Sequence, residues 1–493
     1  MSFEIKTVRI SGNTRFDTPT LHALVADAEG KSLTLAQLVE LAARITAYYR
    51  DRGYPLTRAI IPAQTIRNGT VIIEVLEAHY GKISLDNRSR TDEGLLQDML
   101  SPLQSGQVIT QADLDHALLL LSNVPGVAIN AILKPGETVG TSDLLVEASP
   151  GPAMSGNAML DNYGNRYTGR PRIGGTVSFI NPLGRGDALN LSGLSSGSGV
   201  NYGRIAYELL LNGRGTRMGI SYSALRYILG EPLASINAHG TAQVGNLWAR
   251  HPFVRSQDIN IYGFIQYDRV RLRDHIDATS IRTDRRLESW MASFSGDMRD
   301  AFLSGGVSTW DIDWTAGRVG FDDATAQLTD AATAGTQGGF SKWDAHFTRL
   351  QRLNEKSALH LSLSGQWANT NLDSSRKMTA GGPYTVRAYD MGAVSGDIGY
   401  LGTIEFRHNL GQIWGGQWQA VLFADSAHLT VNKTTWAAGT NSATLSGAGM
   451  GLNWAGPDQW SAKAYVAAPT GSTPVLVTNA APVRAWVEFG KRF

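Results

Sequence analysis

One segment of the chain, GGPYTVRAYD from Gly381 to Asp390, combines residues that could form a specific ionic contact. Two glycines and a proline loosen its backbone, and Arg387 then stands between apolar Val386 and Ala388, with Tyr389 next. A guanidinium is a planar fork of N–H donors, and it binds a carboxylate through two parallel hydrogen bonds. The segment is therefore either a solvated loop or a loop that an ion pair holds inside the molecule.

Two acidic residues, Asp311 and Asp313, could imitate a catalytic carboxylate pair because they share one face of a predicted strand. No third group is placed to assist them, so we interpret them as part of a polar wall. The ten histidines show no metal-ligand spacing, and no cysteine is present to supply a thiolate. The sequence predicts no catalytic residues, no metal, no cofactor and no enzymatic activity.

The composition narrows the class of protein. Lys and Arg number 44 against 43 Asp and Glu, so bulk charge does not favour a nucleic-acid partner. Charged residues make up only 18% of the chain, whereas 54 Gly, 12 Trp and 16 Tyr are typical of β-structure with many turns. No run of apolar residues is long enough for a membrane-spanning helix. The lack of cysteine fits a protein of the bacterial envelope.

Helical and strand patterns alternate in the first 150 residues. Thr34 and Gln37 have the spacing of a capping box, before a helical stripe that Gly53 ends. A weaker copy of the pattern follows, with Thr110 and Asp113 in the corresponding places. The sequence predicts two β-α-α-β-β repeats, and the alternative is a single α+β domain with accidental self-similarity.

After Pro150 the helical periodicity ends and segments with a period of two follow one another. In the last segment Val487 and Phe489 share one face, while Arg484 and Glu488 share the other. We count about sixteen such segments, an even number that suits a membrane barrel. A soluble sandwich or propeller uses the same alternation, but tryptophans near the strand ends and a final aromatic residue favour the barrel.

Three arginines, Arg269, Arg271 and Arg273, alternate along one predicted strand and so share a face. Such a row could attract lipopolysaccharide phosphates or a passing polypeptide. The interpretation that we favour from the sequence is that the row lines a polar lumen.

These features resemble the two-partner secretion transporters, the TpsB proteins, over the whole chain. The features that carry the resemblance are the two small repeats, about sixteen strands, a Val-Arg-x-Tyr loop before the twelfth strand and the C-terminal Phe493. The stretch from Tyr48 to Ile83 resembles the first POTRA domain of that family. Asp161-Asn162-Tyr163-Gly164, followed by Thr168-Gly169, resembles its first barrel hairpin.

The resemblance implies α+β N-terminal POTRA repeats followed by an all-β transmembrane barrel of about 16 antiparallel strands. The implied domains are POTRA domain 1 at residues 1–79, POTRA domain 2 at 80–150 and an outer-membrane β-barrel at 151–493, with a lumen-inserted loop at about 376–396.

In that family the loop arginine meets an aspartate in a Phe-x-Asp motif on a neighbouring strand. Phe423-Ala424-Asp425 matches this motif on the predicted thirteenth strand, so the resemblance implies an Arg387–Asp425 pair. Physical chemistry favours such a pair, because an unpaired charge in a confined lumen is costly. Removing one partner of a buried pair costs on the order of 3–5 kcal/mol. Ala388 replaces the usual glycine of the loop motif, which puts in doubt any conformation with positive φ there.

The implied function is that of an outer-membrane polypeptide transporter. It recognises a secreted β-helical exoprotein of adhesin or haemolysin type (TpsA) through periplasmic POTRA domains and translocates it through the barrel without nucleotide. The alternative is an outer-membrane assembly factor (insertase), which usually carries more POTRA repeats; a passive porin needs none. Further expected partners are outer-membrane lipid and lipopolysaccharide, with the barrel-assembly machinery during biogenesis, and no nucleic acid.

An unfolded cargo could add a strand to a POTRA sheet edge at Thr57–Pro62 or Val127–Leu133, or contact apolar helix faces. The expected location is the bacterial outer membrane, with the POTRA domains in the periplasm. Family members carry a signal peptide and a plug helix that this sequence does not show, so we expect a trimmed chain or a member without the plug. The candidate cargo-binding residues are Leu38, Thr57, Ile60, Leu118, Val127 and Ile129.

Overall fold

The structure is a computed structural model that describes residues 2–478 and 480–493. Two compact units make up the chain, Met1–Gly151 with Asn212–Arg214, and Pro152–Leu211 with Gly215–Phe493. The elements of the first unit are β1 (Ser2–Glu4), β2 (Thr7–Ser11), α1 (Thr18–Ala23), β3 (Ser32–Thr34), α2 (Leu35–Asp51), β4 (Arg58–Ile60), β5 (Thr70–Leu76), β6 (His79–Asn87), α3 (Glu93–Leu100), α4 (Gln111–Ser122), β7 (Val127–Pro135) and β8 (Thr141–Pro150).

Two small sheets in this unit repeat one topology. β5 lies between parallel β2 and antiparallel β4, and β8 lies between parallel β6 and antiparallel β7. Each sheet follows the order β-α-α-β-β along the chain, as the sequence predicted. β4 and β7 are therefore edge strands of their sheets.

Helix α2 shows why the predicted repeat folds as it does. The Gln37 N–H donates to Thr34 Oγ1 and the Thr34 N–H donates to Gln37 Oε1 at 2.8 Å, which completes the capping box. Leu38 and Ile45 on its apolar stripe are buried in the core, and Gly53 with φ +87° follows the helix end. No helix in the described ranges is long and apolar enough to cross a membrane.

A buried carboxylate joins several elements of the first unit. Glu77, 5% exposed, accepts hydrogen bonds from the backbone N–H groups of Thr14 and Arg15, at 2.8 and 2.9 Å, and from the Tyr49 hydroxyl at 2.8 Å. Burial alone raises the pKa of Glu77, but the hydrogen bonds outweigh it and hold that pKa below its usual value. Burial and the hydrogen bond to Glu77 raise the pKa of Tyr49. The carboxylate therefore fixes the segment after β2 against α2.

The second unit is a closed barrel of sixteen antiparallel strands, which confirms the predicted fold class. Its last strand pairs with its first, so no sheet edge is left unpaired. The barrel strands are β9 (Met154–Asp161), β10 (Arg172–Ile180), β11 (Ala188–Ser195), β12 (Val200–Leu210), β13 (Arg217–Ile228), β14 (Ala238–Arg255), β15 (Ile259–Ile276), β16 (Ile281–Asp300), β17 (Gly306–Phe321), β18 (Gly338–Arg352), β19 (Ser357–Ala368), β22 (Ile398–Ile413), β23 (Gly416–Thr430), β24 (Ser442–Ala455), β25 (Trp460–Pro469) and β26 (Arg484–Arg492); helix α5 (Ala324–Ala332) precedes β18, and the short pair β20 (Met378–Ala380) and β21 (Val394–Gly396) precedes β22.

The two faces of the barrel wall differ in the way that the period of two predicted. On β26, Val487 and Phe489 are about half exposed, whereas Arg484 and Trp486 are buried. The exposed apolar face points outwards, because the buried face of neighbouring strands contacts the loop inside the barrel. The barrel therefore has the arrangement of a membrane protein, with apolar side chains towards lipid.

Candidate functional site

The candidate site is built on the loop between β19 and β22, the eleventh and twelfth barrel strands. β20 and β21 pair at its base, and we call residues 381–393 between them the lumen loop. Val386 and Tyr389 of this loop are 0% and 1% exposed and pack in one cluster with residues of β22 to β25. Gly381 has φ +103°, and a Cβ there would lie 2.2 Å from the Asp390 carbonyl oxygen, so only glycine fits this turn. The loop thus folds back into the barrel.

The structure brings Arg387 and Asp425 into direct contact. Arg387 Nε donates to Asp425 Oδ2 at 2.9 Å and a terminal guanidinium nitrogen donates to Oδ1 at 2.7 Å, which is a two-bond fork. The Arg387 backbone N–H donates to the same carboxylate at 3.1 Å. Asp425 lies on β23, the thirteenth strand, and its side chain is 0% exposed. The contact therefore fixes both the side chain and the backbone of the loop.

A second carboxylate, that of Glu405 on β22, also binds the Arg387 guanidinium. Its Oε1 accepts from Arg387 at 2.6 Å, while its Oε2 accepts from Arg407 at 2.6 and 2.8 Å. Sequence reasoning missed Glu405, although its place on the inward face of the twelfth strand, two residues before Arg407, was the available signal. We call Arg387, Asp425 and Glu405 the arginine latch.

Aromatic side chains enclose the latch. The Arg387 guanidinium carbon lies 3.4 Å from the centroid of the Phe423 ring and 5.5 Å from that of Tyr465. The Trp486 indole N–H donates to the Arg387 carbonyl oxygen at 2.7 Å. Phe423 of the predicted Phe-x-Asp motif thus makes a cation–π contact with the Arg387 guanidinium. These rings exclude water, so the ionic contacts act in a medium of low polarity.

Ala388 occupies the position where glycine was expected, and its backbone does not need glycine. Ala388 is not among the described residues with positive φ. Its methyl group instead faces Gly447 on β24, where a Cβ would lie 2.4 Å from the Ala388 Cβ. The missing side chain at 447 therefore leaves the space that Ala388 fills.

Further ion pairs hold the two ends of the loop. Asp390, at the end of the lumen loop, accepts from Arg170 at 3.0 Å and also from Arg484. Before the loop, Arg376 lies 3.5 Å from Asp268 across the lumen. These contacts place the loop between opposite sides of the barrel wall.

The row of Arg269, Arg271 and Arg273 lies on the outer face of β15, so our interpretation of it as a lumen wall was wrong. On the same strand, Asp268 contacts Arg376 of the inserted segment, which identifies the even-numbered side chains as inward. The odd-numbered set shares its face with Ile265, which is 49% exposed. The sequence showed that the three arginines share a face, but only the contacts of the loop show which face it is.

Asp311 and Asp313 face the lumen, because Ile312 and Trp314 between and beside them are exposed on the outer face. Asp344 lies directly opposite Asp313 on β18. Among the described residues no group of three or more His, Asp and Glu could hold a metal ion.

The candidate cargo-binding residues fall into two classes. Leu38 and Thr57 are 1% and 2% exposed, which leaves neither side chain on the surface for a cargo to contact. Leu38 packs in the core because it belongs to the stripe of α2 that faces the sheet. The remaining candidates are accessible: Ile60 is 37% exposed, and Leu118, Val127 and Ile129 are half-buried.

Comparison with known proteins agrees with this arrangement. The family described as haemolysin secretion/activation protein ShlB/FhaC/HecB matches residues 140–454, and a POTRA domain of ShlB type matches residues 3–78. The heme/hemopexin transporter protein HuxB of Haemophilus influenzae is 27% identical over 500 residues, covering 100% of this chain and 88% of the relative. The outer membrane transporter CdiB of Escherichia coli is 23% identical, covering 92% of this chain and 80% of the relative. The solved structure of CdiB from Escherichia coli has the same fold, with a TM-score of 0.76 at 21% identity, over 100% of this chain and 91% of that one.

Proposed function

The chain belongs to the haemolysin secretion/activation family ShlB/FhaC/HecB, and on that premise we propose that it recognises one secreted exoprotein through its POTRA domains and threads it through the barrel. It is an outer-membrane transporter of the two-partner secretion type, with its POTRA domains in the periplasm. The proposed cargo is a β-helical exoprotein of adhesin or haemolysin type. The proposed domain limits are those expected above, 1–79, 80–150 and 151–493.

The observation that carries the proposal is the arginine latch. A loop held in the lumen by buried ionic contacts obstructs passage of a polypeptide until those contacts break. Arg387 makes its side-chain hydrogen bonds to two carboxylates on two different strands, so the loop is held in one arrangement. In this proposal the closed state is the one with the latch formed, and transport requires the loop to leave it.

POTRA recognition by strand addition is supported at β7 more than at β4. The Ala59 N–H of edge strand β4 already donates to Thr46 Oγ1 of α2 at 2.9 Å. On β7, Gly136 N–H donates to Thr141 O and Gly151 N–H donates to Gly126 O, so the even-numbered backbone groups point towards β8. The backbone groups of Ile129, Ala131 and Leu133 therefore point to the open edge, where an extended chain could pair with them.

Movement without nucleotide is part of the proposal, since the periplasm supplies none. An exoprotein that folds outside the cell cannot slide back as an unfolded chain, so its folding biases the direction of movement. In the assembly-factor alternative the relevant feature is instead the short seam between β26 and β9.

The test removes each half of the latch in the full-length protein. Arg387→Ala leaves Asp425 buried without its cation and Asp425→Ala leaves the guanidinium half-paired, at a cost on the order of 3–5 kcal/mol to the latched arrangement. We expect either change to abolish or strongly reduce release of the secreted exoprotein, with the barrel still inserted, because a loop without the latch loses the single arrangement from which cargo displaces it and blocks the lumen in many others. The measurement is the amount of exoprotein in the medium and of folded barrel in the outer membrane.

Arg349→Ala is the matched control, because it also removes a two-bond contact between an arginine and a carboxylate, to Asp300 at 2.8 and 3.0 Å, and both residues lie outside the lumen loop. We expect this variant to secrete. Normal secretion by both latch variants contradicts the proposed role of the pair.

A further inference from the structure

The outer face of the barrel carries a dense group of arginines on β15, β16 and β17. Arg271 lies directly opposite Arg286, while Arg269 lies opposite Glu288, which in turn lies opposite Arg318. Each of these side chains is exposed. We call Arg269, Arg271, Arg273, Arg286 and Arg318 the outer arginine patch.

The patch begins where the apolar band of the barrel ends. On β15 the nine residues from Ile259 to Tyr267 precede Arg269, and a tilted strand needs about 9–11 residues to cross the hydrocarbon core. The rings of Tyr267 and Trp290 lie 5.1 Å apart at this boundary, as expected of residues at a membrane interface. The patch therefore lies at the depth of the lipid headgroups.

The patch also lies at the end of the barrel that faces the outside of the cell. The long connections 322–337 and 369–397 leave the barrel at this end, whereas two-residue and three-residue turns such as 414–415 and 256–258 close the other. Barrels of this class place long loops outside and short turns in the periplasm. The lipid facing the patch is thus that of the outer leaflet, which is lipopolysaccharide.

Part of the positive charge is not neutralised by the protein. Arg269 lies 3.5 Å from Glu288 and Arg286 lies 2.5 Å from Asp322, and these pairs are largely exposed. Exposed ion pairs of this kind contribute little to the free energy of folding, so a phosphate can replace the carboxylate as the partner of the arginine. Within the described part of the chain, Arg271 and Arg318 form no ion pair. The patch therefore presents guanidinium groups with unused donors.

An apolar depression of about 490 Å³ on the outer wall leads up to the patch. Ile220, Tyr222, Leu247 and Tyr267 line it, and Arg269 stands at its rim. Gly245 contributes to the hollow, since a Cβ there would meet nothing within 4 Å. The depression is apolar, as a binding site for an acyl chain must be, and it ends at the Arg269 guanidinium.

We propose that the outer arginine patch and this depression form a binding site for the lipid A part of lipopolysaccharide. The phosphates of lipid A contact Arg269, Arg271 and Arg318, and one acyl chain lies in the depression below them. Guanidinium groups bind phosphate through paired, charge-assisted hydrogen bonds. The neighbouring apolar wall provides an apolar surface against which the acyl chain can pack. A translocating polypeptide is a poorer occupant, because the patch faces away from the lumen through which it passes. The inference rests on the outer-membrane location and not on the proposed transport mechanism.

The experiment measures binding of lipid A to the full-length protein in detergent by native mass spectrometry. Lipid A with both phosphates is compared with dephosphorylated lipid A. We expect preferential binding of the phosphorylated form, and about a tenfold loss of apparent affinity in Arg271→Gln/Arg318→Gln, since both charge-assisted contacts are removed. Raising the salt concentration should weaken binding to the unchanged protein more than binding to the variant.

Arg299→Gln/Arg352→Gln is the matched control, because it removes two exposed arginines at the other end of the barrel. It should bind lipid A like the unchanged protein. Folding of each variant is checked by the shift in gel migration between heated and unheated samples. Equal binding of both lipids overturns the proposal, as does unchanged affinity in a folded patch variant. A patch variant that loses secretion but keeps its lipid A affinity overturns it in favour of a polypeptide site.

Discussion

Arg387 is tied at four points: three side-chain nitrogens and its own backbone N–H. Such a contact fixes geometry better than it adds stability, because desolvating the charges offsets much of their attraction. A lysine could not reproduce it, since one ammonium group lacks the planar fork that reaches Asp425 and Glu405 together. The latch therefore selects one loop arrangement and is open to release once water or cargo enters.

The packing of Ala388 against Gly447 can be tested by substitution, because the two residues face each other at close range. Gly447→Ala should loosen the loop, because the new Cβ would lie 2.4 Å from that of Ala388, and overpacking of this kind costs about 1–3 kcal/mol. We expect increased ion conductance through single barrels in a planar bilayer.

The control for this change is built into the pair. Ala388→Gly removes the opposing methyl group, so the double variant Ala388→Gly/Gly447→Ala should recover the low conductance of the unchanged protein. A double variant that stays as open as Gly447→Ala alone would show that the two positions are not in steric contact.

Among the elements, the two POTRA sheets use similar strands in different ways. The three-residue edge strand β4 has its outward N–H occupied by α2. The nine-residue strand β7 leaves alternate backbone groups free at its outer edge. Long open edges are prone to pairing with another chain, and in a transporter that tendency can serve recognition.

Replacing Ala131 by proline tests this use of β7. The Ala131 N–H points to the open edge, so Ala131→Pro removes one free donor while leaving the hydrogen bonds to β8 in place. We expect the variant to bind unfolded exoprotein several-fold more weakly, by about one backbone hydrogen bond, in a pull-down with the full-length transporter.

Ala131→Val is the matched control, since it keeps the N–H and adds side-chain volume. It should bind like the unchanged protein. Equal binding by the proline variant would exclude this edge as the site of strand addition.

At the scale of the whole barrel, the wall is not uniform. β26 and β9 pair through Glu488–Arg492 and residues 157–161, with backbone hydrogen bonds between Gly156 and Phe493 just beyond, whereas β15 pairs with β16 along its whole length. The Asn162 side chain extends this seam, accepting from the Val487 N–H at 2.9 Å and donating to the Ala485 carbonyl at 3.0 Å. The seam is thus the shortest paired register between described barrel strands, and whether it opens distinguishes the two functional alternatives.

A disulfide across the seam distinguishes transport through the lumen from insertion through the wall. Asn157 and Arg492 lie directly opposite each other, and the chain has no cysteine of its own. We expect Asn157→Cys/Arg492→Cys to secrete as much exoprotein oxidised as reduced, because cargo in the lumen does not part the strands. Loss of secretion on oxidation alone, reversed by reductant, would favour the assembly-factor alternative.

The sequence by itself determined the strand number, the capping of α2 and the place of the loop before the twelfth strand. It could do so because these depend on local patterns: a period of two, a cap spacing and the turn residues around Gly381. The motif resemblance added Asp425 as the partner of Arg387. Glu405 was missed because its place on the twelfth strand, two residues before Arg407, does not show that it binds the same guanidinium as Asp425.

Only the tertiary structure decided which way each face points and what the loop touches. The alternation of Arg269, Arg271 and Arg273 is the same whether the row faces lumen or lipid, because a strand with a period of two has two equivalent faces until the barrel closes. Likewise the sequence could not show that the Ala388 methyl group faces Gly447 on a distant strand, where the absent side chain leaves room for it. Closure of the barrel around its own loop fixes both the direction of each strand face and the contacts of Ala388, because only a closed barrel has an inside and an outside.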